Sequence, residues 1–367
     1  MMEQWINLWN TVMTDYSKCG LFAEHCQCRI RMQCLYETDA FRLHFTNRFG
    51  AQQATYRNVF LKTESAVYPV LYSGNSEITV PKGADIWTDP VGLQESVHGE
   101  IEIIFEADTL EIGETALLPD TPYMTTECTG TIATKIPMYT QMIRDIPSDY
   151  KWHFGLDRIC AHDMGKTDFR KILLLGDSNF HREYYANAIR MHVPSVLCEN
   201  QGINGNRLLK GTILPFLGEI NGKACLERIN ELDGNFDEVH ILIGINDLLL
   251  PYEYARLTEL PTAEAMQEGL TAIAEAAKRL CSREGRILLY TLLPCKGYKV
   301  YNGISEQQRC ALNDFIRTMP HFDAAAELAD PDDPAKLDAA FAQDDFLHIS
   351  QQGAIRLCER AFPRNFG

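Results

Sequence analysis

No apolar run in this 367-residue sequence approaches the ~20 residues that a membrane-spanning helix requires. Positive charge is scarce: 34 Lys and Arg against 50 Asp and Glu leave a formal net charge of −16. Nucleic acid and anionic membrane surfaces both demand clustered cations, so neither is an expected partner. The opening stretch MMEQWINLWNTVMTDYSKCG lacks a basic segment followed by an apolar one. No secretory leader is read there, and a cytoplasmic location is expected. Also missing are G-x-S-x-G, H-E-x-x-H and a Walker loop. Their absence speaks against the α/β-hydrolase elbow, zinc-protease and P-loop chemistries. Nothing suggests a dinucleotide.

What is present is an ordinary globular composition, 46% hydrophobic and 23% charged, on a chain long enough for two domains. Twelve cysteines need an explanation, because four fall within residues 19–34 beside His25. In CQCRIRMQC (26–34), Cys26, Cys28, Ile30, Met32 and Cys34 alternate with Gln27, Arg29, Arg31 and Gln33. That period of two describes a half-buried strand with cysteines as small core residues. A zinc site would use wider spacing on a turn. Reduced thiols and no metal are therefore expected.

The first ~150 residues read as short strands parted by turns. FRLHFTNRFG (41–50) alternates and then turns at Gly50, EITVPKGADIWTDPV (77–91) is broken at Pro81–Gly83 and Asp89–Pro90, and EIEIIFEA (100–107) sets Ile101, Ile103 and Phe105 on one face. This pattern predicts an antiparallel β-sandwich over residues 1–165. From about residue 168 strand-like runs at 171–175, 195–199, 239–243 and 287–292 alternate with helical stretches. One helix is predicted from Thr262, with Met266, Leu270, Ile273, Ala277 and Leu280 inward and Gly285 as its stop. Another is predicted from a capping box at Ser305–Gln308. Residues 166–367 thus predict an α/β domain around a parallel sheet, with the boundary in the polar stretch 150–168.

Ligands of such sheets bind beyond the carboxyl ends of the strands. Gly176-Asp177-Ser178 follows the first run, ENQGINGNRLL (199–209) the second and Gly244-Ile245-Asn246-Asp247 the third. Asp345 and His348 come late, just before Ser350, which reads as a helix cap. A strand-end serine can be only a helix cap, as Asn246 can be only a turn residue. With a carboxylate–histidine pair downstream, however, Ser178 becomes a candidate nucleophile, His348 its base and Asp345 the base's support. His181, three residues after the serine, is the rival base, and would point along its own helix. Asp177 and Asp247 read as structural carboxylates.

These segments resemble the SGNH/GDSL hydrolase superfamily: G-D-S at 176–178, an N-x-G-x-x-G type segment at 200–205, G-x-N-D at 244–247 and D-x-x-H at 345–348. The likeness extends through RCALNDFIR, HFDAAAELADPDDPAKL and FLHISQQG. The first half resembles the jelly-roll-like β-sandwich that precedes the hydrolase domain in one group of GDSL esterases. The resemblance implies a flavodoxin-like hydrolase domain, no cofactor, and an oxyanion hole from the amides of Ser178 and Gly205 and the side chain of Asn246. Gly202 competes with Gly205 for that role. It further implies a serine esterase acting on small acyl groups, acetyl first, of a small-molecule or carbohydrate ester. Thioesterase and lysophospholipase activity are alternatives within the fold, and a carbohydrate-binding protein without turnover is an alternative outside it. Two segments depart from the family pattern: NFHREYYANAIR after the serine is unusually polar, and Ile349 stands where proline often follows the histidine.

Overall fold

The computed structural model describes residues 5–137, 140 and 150–363. The chain divides into two compact units, 1–168 with 216–220, and 169–215 with 221–367. The stretch 150–168 is not a plain linker, since Tyr150–His153 and Leu156–His162 are strands of the first unit. Among the described residues no helix is long and apolar enough to cross a membrane.

The first unit is antiparallel throughout. Its long strand Leu21–Asn47 pairs with Val91–Ile112, Met124–Thr134 and Leu156–His162 in a nine-stranded sheet. A three-stranded sheet joins Tyr150–His153, Glu114–Pro119 and Thr14–Asp15. Cys26, Cys28, Ile30, Met32 and Cys34 are all buried while Gln27, Arg29, Arg31 and Gln33 are not, as the period of two predicts. Phe45, Tyr56, Phe105 and Phe154 meet edge-on or tilted at centroid distances of 5.0–6.3 Å, a geometry that suits the quadrupoles of their rings.

The second unit is built on five parallel strands: β1 (Arg170–Gly176), β2 (Val196–Gly202), β3 (Phe236–Leu242), β4 (Cys281–Tyr290) and β5 (His321–Phe322). Their spatial order is β2-β1-β3-β4-β5, so the chain reverses its direction of travel across the sheet at β1. That reversal opens a crevice at the carboxyl ends of β1 and its neighbours. Gly176 is in register with both Gly202 and Leu242, which aligns three strand ends. Ile172 to Leu175 are fully buried because helices cover both faces.

Helix Ala263–Ala277 starts at Thr262, whose hydroxyl accepts the Ala265 amide, and buries Met266, Leu270, Ile273 and Ala277. It ends through a tight turn at Lys278–Leu280, so Gly285 is not its stop and lies inside β4 instead. The capping box before helix Gly303–Ile316 is formed by Asn302 and Ser305, placing Ser305 one turn inside rather than at the cap. Asparagine at 302 satisfies the amides of Ile304 and Ser305, the orphan donors of the first turn.

Beneath the sheet a buried polar chain spans three elements. Tyr290 Oη is 2.5 Å from Tyr185 Oη and 2.8 Å from His240 Nδ1, and His240 Nε2 is 2.8 Å from Glu238 Oε2. Since Nε2 must donate to the carboxylate, Nδ1 of the neutral ring accepts from Tyr290. Burial favours that neutral form, driving the His240 pKa down. Tyr290→Phe keeps the shape but strips a partner from both His240 and Tyr185. It should cost about 1–3 kcal/mol in urea unfolding monitored by circular dichroism. A neutral result would mean that the chain contributes nothing to stability.

Candidate active site

Ser178 opens a short helix, Ser178–His181, directly after β1. Asp177, not Ser178, is the cap: its Oδ1 accepts the Asn179 amide at 3.0 Å. The serine hydroxyl is thereby left for another partner. Ser178 Oγ lies 2.8 Å from His348 Nε2, and His348 Nδ1 lies 2.5 Å from Asp345 Oδ2. Asp345 Oδ1 also accepts the amides of Leu347 and His348, both at 3.0 Å, so the D-x-x-H loop folds around its own carboxylate. The spacing of three residues sets the acid beside the ring. Asn179 Oδ1 accepts the Ile349 amide at 3.1 Å and ties this loop to the serine turn across 170 positions.

His181 is turned elsewhere, with Nδ1 3.3 Å from the carbonyl of Gly202. The structure therefore sets His348, not His181, against the serine.

Asn246 is in the first turn of helix Ile245–Glu253, which follows β3. Its side-chain amide donates to Asn206 O at 3.0 Å, leaving a second N–H on the same nitrogen. Gly205 precedes Asn206 and has φ +68°; a Cβ there would meet Asn221 Nδ2 at 2.4 Å, so both conformation and space call for glycine. The amide of Gly202 is already donated to Asn200 Oδ1 at 2.9 Å. Of the two glycines, Gly205 is thus the one whose amide this bond does not engage.

Of the groups that hold the loop bearing Gly205, the sequence marks only Asp247 as structural. Asn206 donates to the carbonyls of Asn221 and Lys223, and its Oδ1 accepts from Arg228 Nε at 3.0 Å. Arg228 also donates to Gly176 O at 2.9 Å, linking the loop to the end of β1. Asp247 accepts the amides of Leu208 and Leu209 at 2.6 and 3.1 Å. Arg228 carries no local signal, being buried on a short helix about fifty residues beyond the serine, whereas Asn206 directly follows the segment 200–205 and could have been suspected.

The polar residues after the serine also find their place. Glu183 has left-handed φ, +62°, costly for a side chain of that size. It is fully buried and receives bonds from Arg190 Nη1 at 2.7 Å and Asn200 Nδ2 at 2.8 Å. Asn200 also donates to Phe180 O at 2.8 Å. NFHREYYANAIR is polar because it anchors the serine turn to the carboxyl end of β2.

Electrostatics set the protonation states. Burial, and then the nearby Arg182 guanidinium, push the His348 pKa down to about 4, against an upward pull from Asp345. Burial works to raise Asp345, but the bond to His348 prevails and holds its carboxyl well below the usual range. Burial raises Asp177 to about 7 and Asp247 to about 6. His348 is therefore neutral at pH 7 and able to accept a proton. If it is the base of the free enzyme, kcat/KM should rise with pH through an apparent pKa near 4 and stay level from pH 6 to 8. The unperturbed value of ~6.5 would put that rise about 2.5 pH units higher. A stopped-time ester assay across pH 3.5–8 distinguishes the two, and a midpoint above 6 would contradict the buried-base assignment.

No family model matches the chain, and no curated protein matches it. Solved structures do. A GDSL-like lipase from Bacteroides thetaiotaomicron is 14% identical, with 53% of this chain and 86% of that one covered and a TM-score of 0.38. A carbohydrate acetylesterase family member from Sinorhizobium meliloti is 14% identical over 53% and 96%, with a TM-score of 0.40. The chain is likewise similar to an acetylxylan esterase from Geobacillus stearothermophilus, at 18% identity over 55% and 95% and a TM-score of 0.37.

Proposed function

We propose that this protein is a serine esterase of the SGNH/GDSL type, cleaving small acyl esters, acetyl foremost, through an acyl-Ser178 intermediate. The observation that carries the reading is the hydrogen-bonded series from Ser178 Oγ to His348 to Asp345, with the Asn246 amide in the helical turn that follows the neighbouring strand. Ser178 Oγ attacks the acyl carbon as His348 Nε2 takes its proton. The oxyanion is met by the amides of Ser178 and Gly205 and the second N–H of Asn246. The tetrahedral intermediate collapses, His348 returns the proton to the leaving alcohol, and water repeats the sequence to release the carboxylate. Asp345 orients the ring and stabilises its transient cation. The sequence resemblance makes a carbohydrate ester the expected physiological substrate.

Short acyl groups fit the surroundings of the triad. Ile245 precedes Asn246 and Leu347 precedes His348, and these two pack with Leu249 and Cys295 into a small cluster. All four are at most 5% exposed, so this apolar surface is spent on internal packing. From the stretch LLLPYEY, Leu248 belongs to the main core and Tyr254 is exposed. A long chain would need a continuous open apolar groove, since each buried methylene is worth only ~0.8 kcal/mol. Across p-nitrophenyl acetate, butyrate and octanoate, kcat/KM should fall at least tenfold by octanoate. A preference for octanoate would move the proposal to a lysophospholipase or thioesterase.

A further inference from the structure

The antiparallel unit holds a group of thiols that the proposed esterase chemistry does not use. Cys28, on strand Leu21–Asn47, is the direct cross-strand partner of Cys128, on strand Met124–Thr134. Directly opposed residues of an antiparallel pair have Cα atoms ~4.5–5.5 Å apart, inside the ~4.4–6.8 Å that a disulfide bridges. Their sulfurs are already 2.8 Å apart. Two thiols at that separation stand closer than ordinary sulfur contacts, so no backbone movement is needed to join them. Cys26, two residues earlier, is a poorer partner. The ladder slips between Thr129 and Thr131, so Cys26 has no opposite residue on that strand. Its thiol is shared among the carbonyls of Glu24 and Thr131, 3.6 and 3.5 Å away, and Cys128, to which it is a lesser donor than Cys28.

We propose that Cys28 and Cys128 form an oxidisable dithiol, a modification site that a low-molecular-weight disulfide converts to an intrachain cross-link. Cys128 is the entry point because it is only partly buried, whereas Cys28 is buried. The thiol of Cys28 donates to Cys128 and lowers its pKa against the effect of burial, which favours the attacking thiolate there. The Cys128 thiolate attacks one sulfur of the reagent, breaking its S–S bond and releasing one thiol. Cys28 then loses its proton and attacks the Cys128 sulfur, expelling the second thiol. Two protein thiols lose two electrons and two protons, and the reagent disulfide takes them up as two thiols. The bond closes a loop of about 100 residues between the strands, a constraint felt mainly by the unfolded chain.

The test treats the whole folded chain with oxidised glutathione, blocks remaining thiols with iodoacetamide and maps the peptides by mass spectrometry. The expected product is a Cys28–Cys128 linked peptide, reversed by dithiothreitol, with the thermal unfolding of the antiparallel unit shifted up by roughly 5–15 °C. Exposed Cys310 serves as a control that takes up glutathione without forming a ring. Cys26→Ser should still form the cross-link, and Cys28→Ser should stop at glutathione held on Cys128. Cys128 left unreacted, glutathione retained on wild-type Cys128, or a Cys26–Cys128 link would each overturn the proposal. The wild-type map alone decides the matter if a serine variant fails to fold.

Discussion

Ser178→Ala should lower ester hydrolysis by about 10⁵- to 10⁶-fold while the protein stays folded. The hydroxyl is the only group removed, and it is hydrogen-bonded to His348 Nε2. Losing that bond should change stability by no more than about 1.5 kcal/mol, because Ser178 fills no part of the apolar core. The residual rate would come from oxyanion donors that survive, namely the amides at 178 and 205 and Asn246. A fluorophosphonate probe should label wild-type protein on Ser178, identified by peptide mass, and leave the alanine variant unmarked. Labelling of another residue, or an alanine variant with wild-type turnover, would remove Ser178 from the nucleophile's role.

The site was legible because its parts sit where two simple patterns end. Four consecutive apolar residues, Ile172 to Leu175, mark a strand covered on both faces, and Gly176 then breaks the run. The same logic places Gly202 at the end of β2 and Asn246 in the helical turn that follows β3. The alternation through Cys26 to Cys34 likewise declared a half-buried strand. Signals that depend on one residue were weaker. Gly285 suggests a helix stop, but the helix closes earlier through a turn, and the glycine lies in a strand where a Cβ would come 2.8 Å from Phe236 O. The spacing of Ser305 and Gln308 suggests a capping box, while Asn302 three residues earlier is the cap and Ser305 its partner. Strand β5 is two residues long and too short to leave a period.

Residues that act by holding others were the least visible. Arg228, Asn206, Asn179 and Glu183 reach partners on elements distant in sequence, and no spacing rule links them. Their burial explains the polar texture of the segment after Ser178 that composition alone left unaccounted for. The His348 environment belongs to the same class. Its low pKa arises from burial and from Arg182, whose guanidinium also donates to Gln343 Oε1, and neither influence can be read from the D-x-x-H segment.

Asp345→Asn should reduce kcat by about 10⁴-fold with little change in KM, because it fixes the wrong tautomer of His348. In the wild-type chain Asp345 Oδ1 accepts two backbone amides, from Leu347 and His348, and Oδ2 accepts the proton on His348 Nδ1. An asparagine would keep its carbonyl oxygen toward the two amides, since turning it over would set N–H against N–H. Its NH₂ group then faces the ring and can only donate, so Nδ1 must become an acceptor. The proton moves to Nε2, where it points at Ser178 Oγ, and the base has no lone pair to offer the nucleophile. Loss of the carboxylate also withdraws the charge that steadies the imidazolium during acyl transfer. Both effects act on the chemical step and leave substrate contacts in place, so kcat falls and KM holds. Paired measurements of kcat, KM and the rate of fluorophosphonate labelling check this, and the labelling rate should fall with kcat because it uses the same base. A variant that retained rapid labelling and turnover would mean that His348 takes its tautomer from some other group, and Asp345 would lose its assigned part.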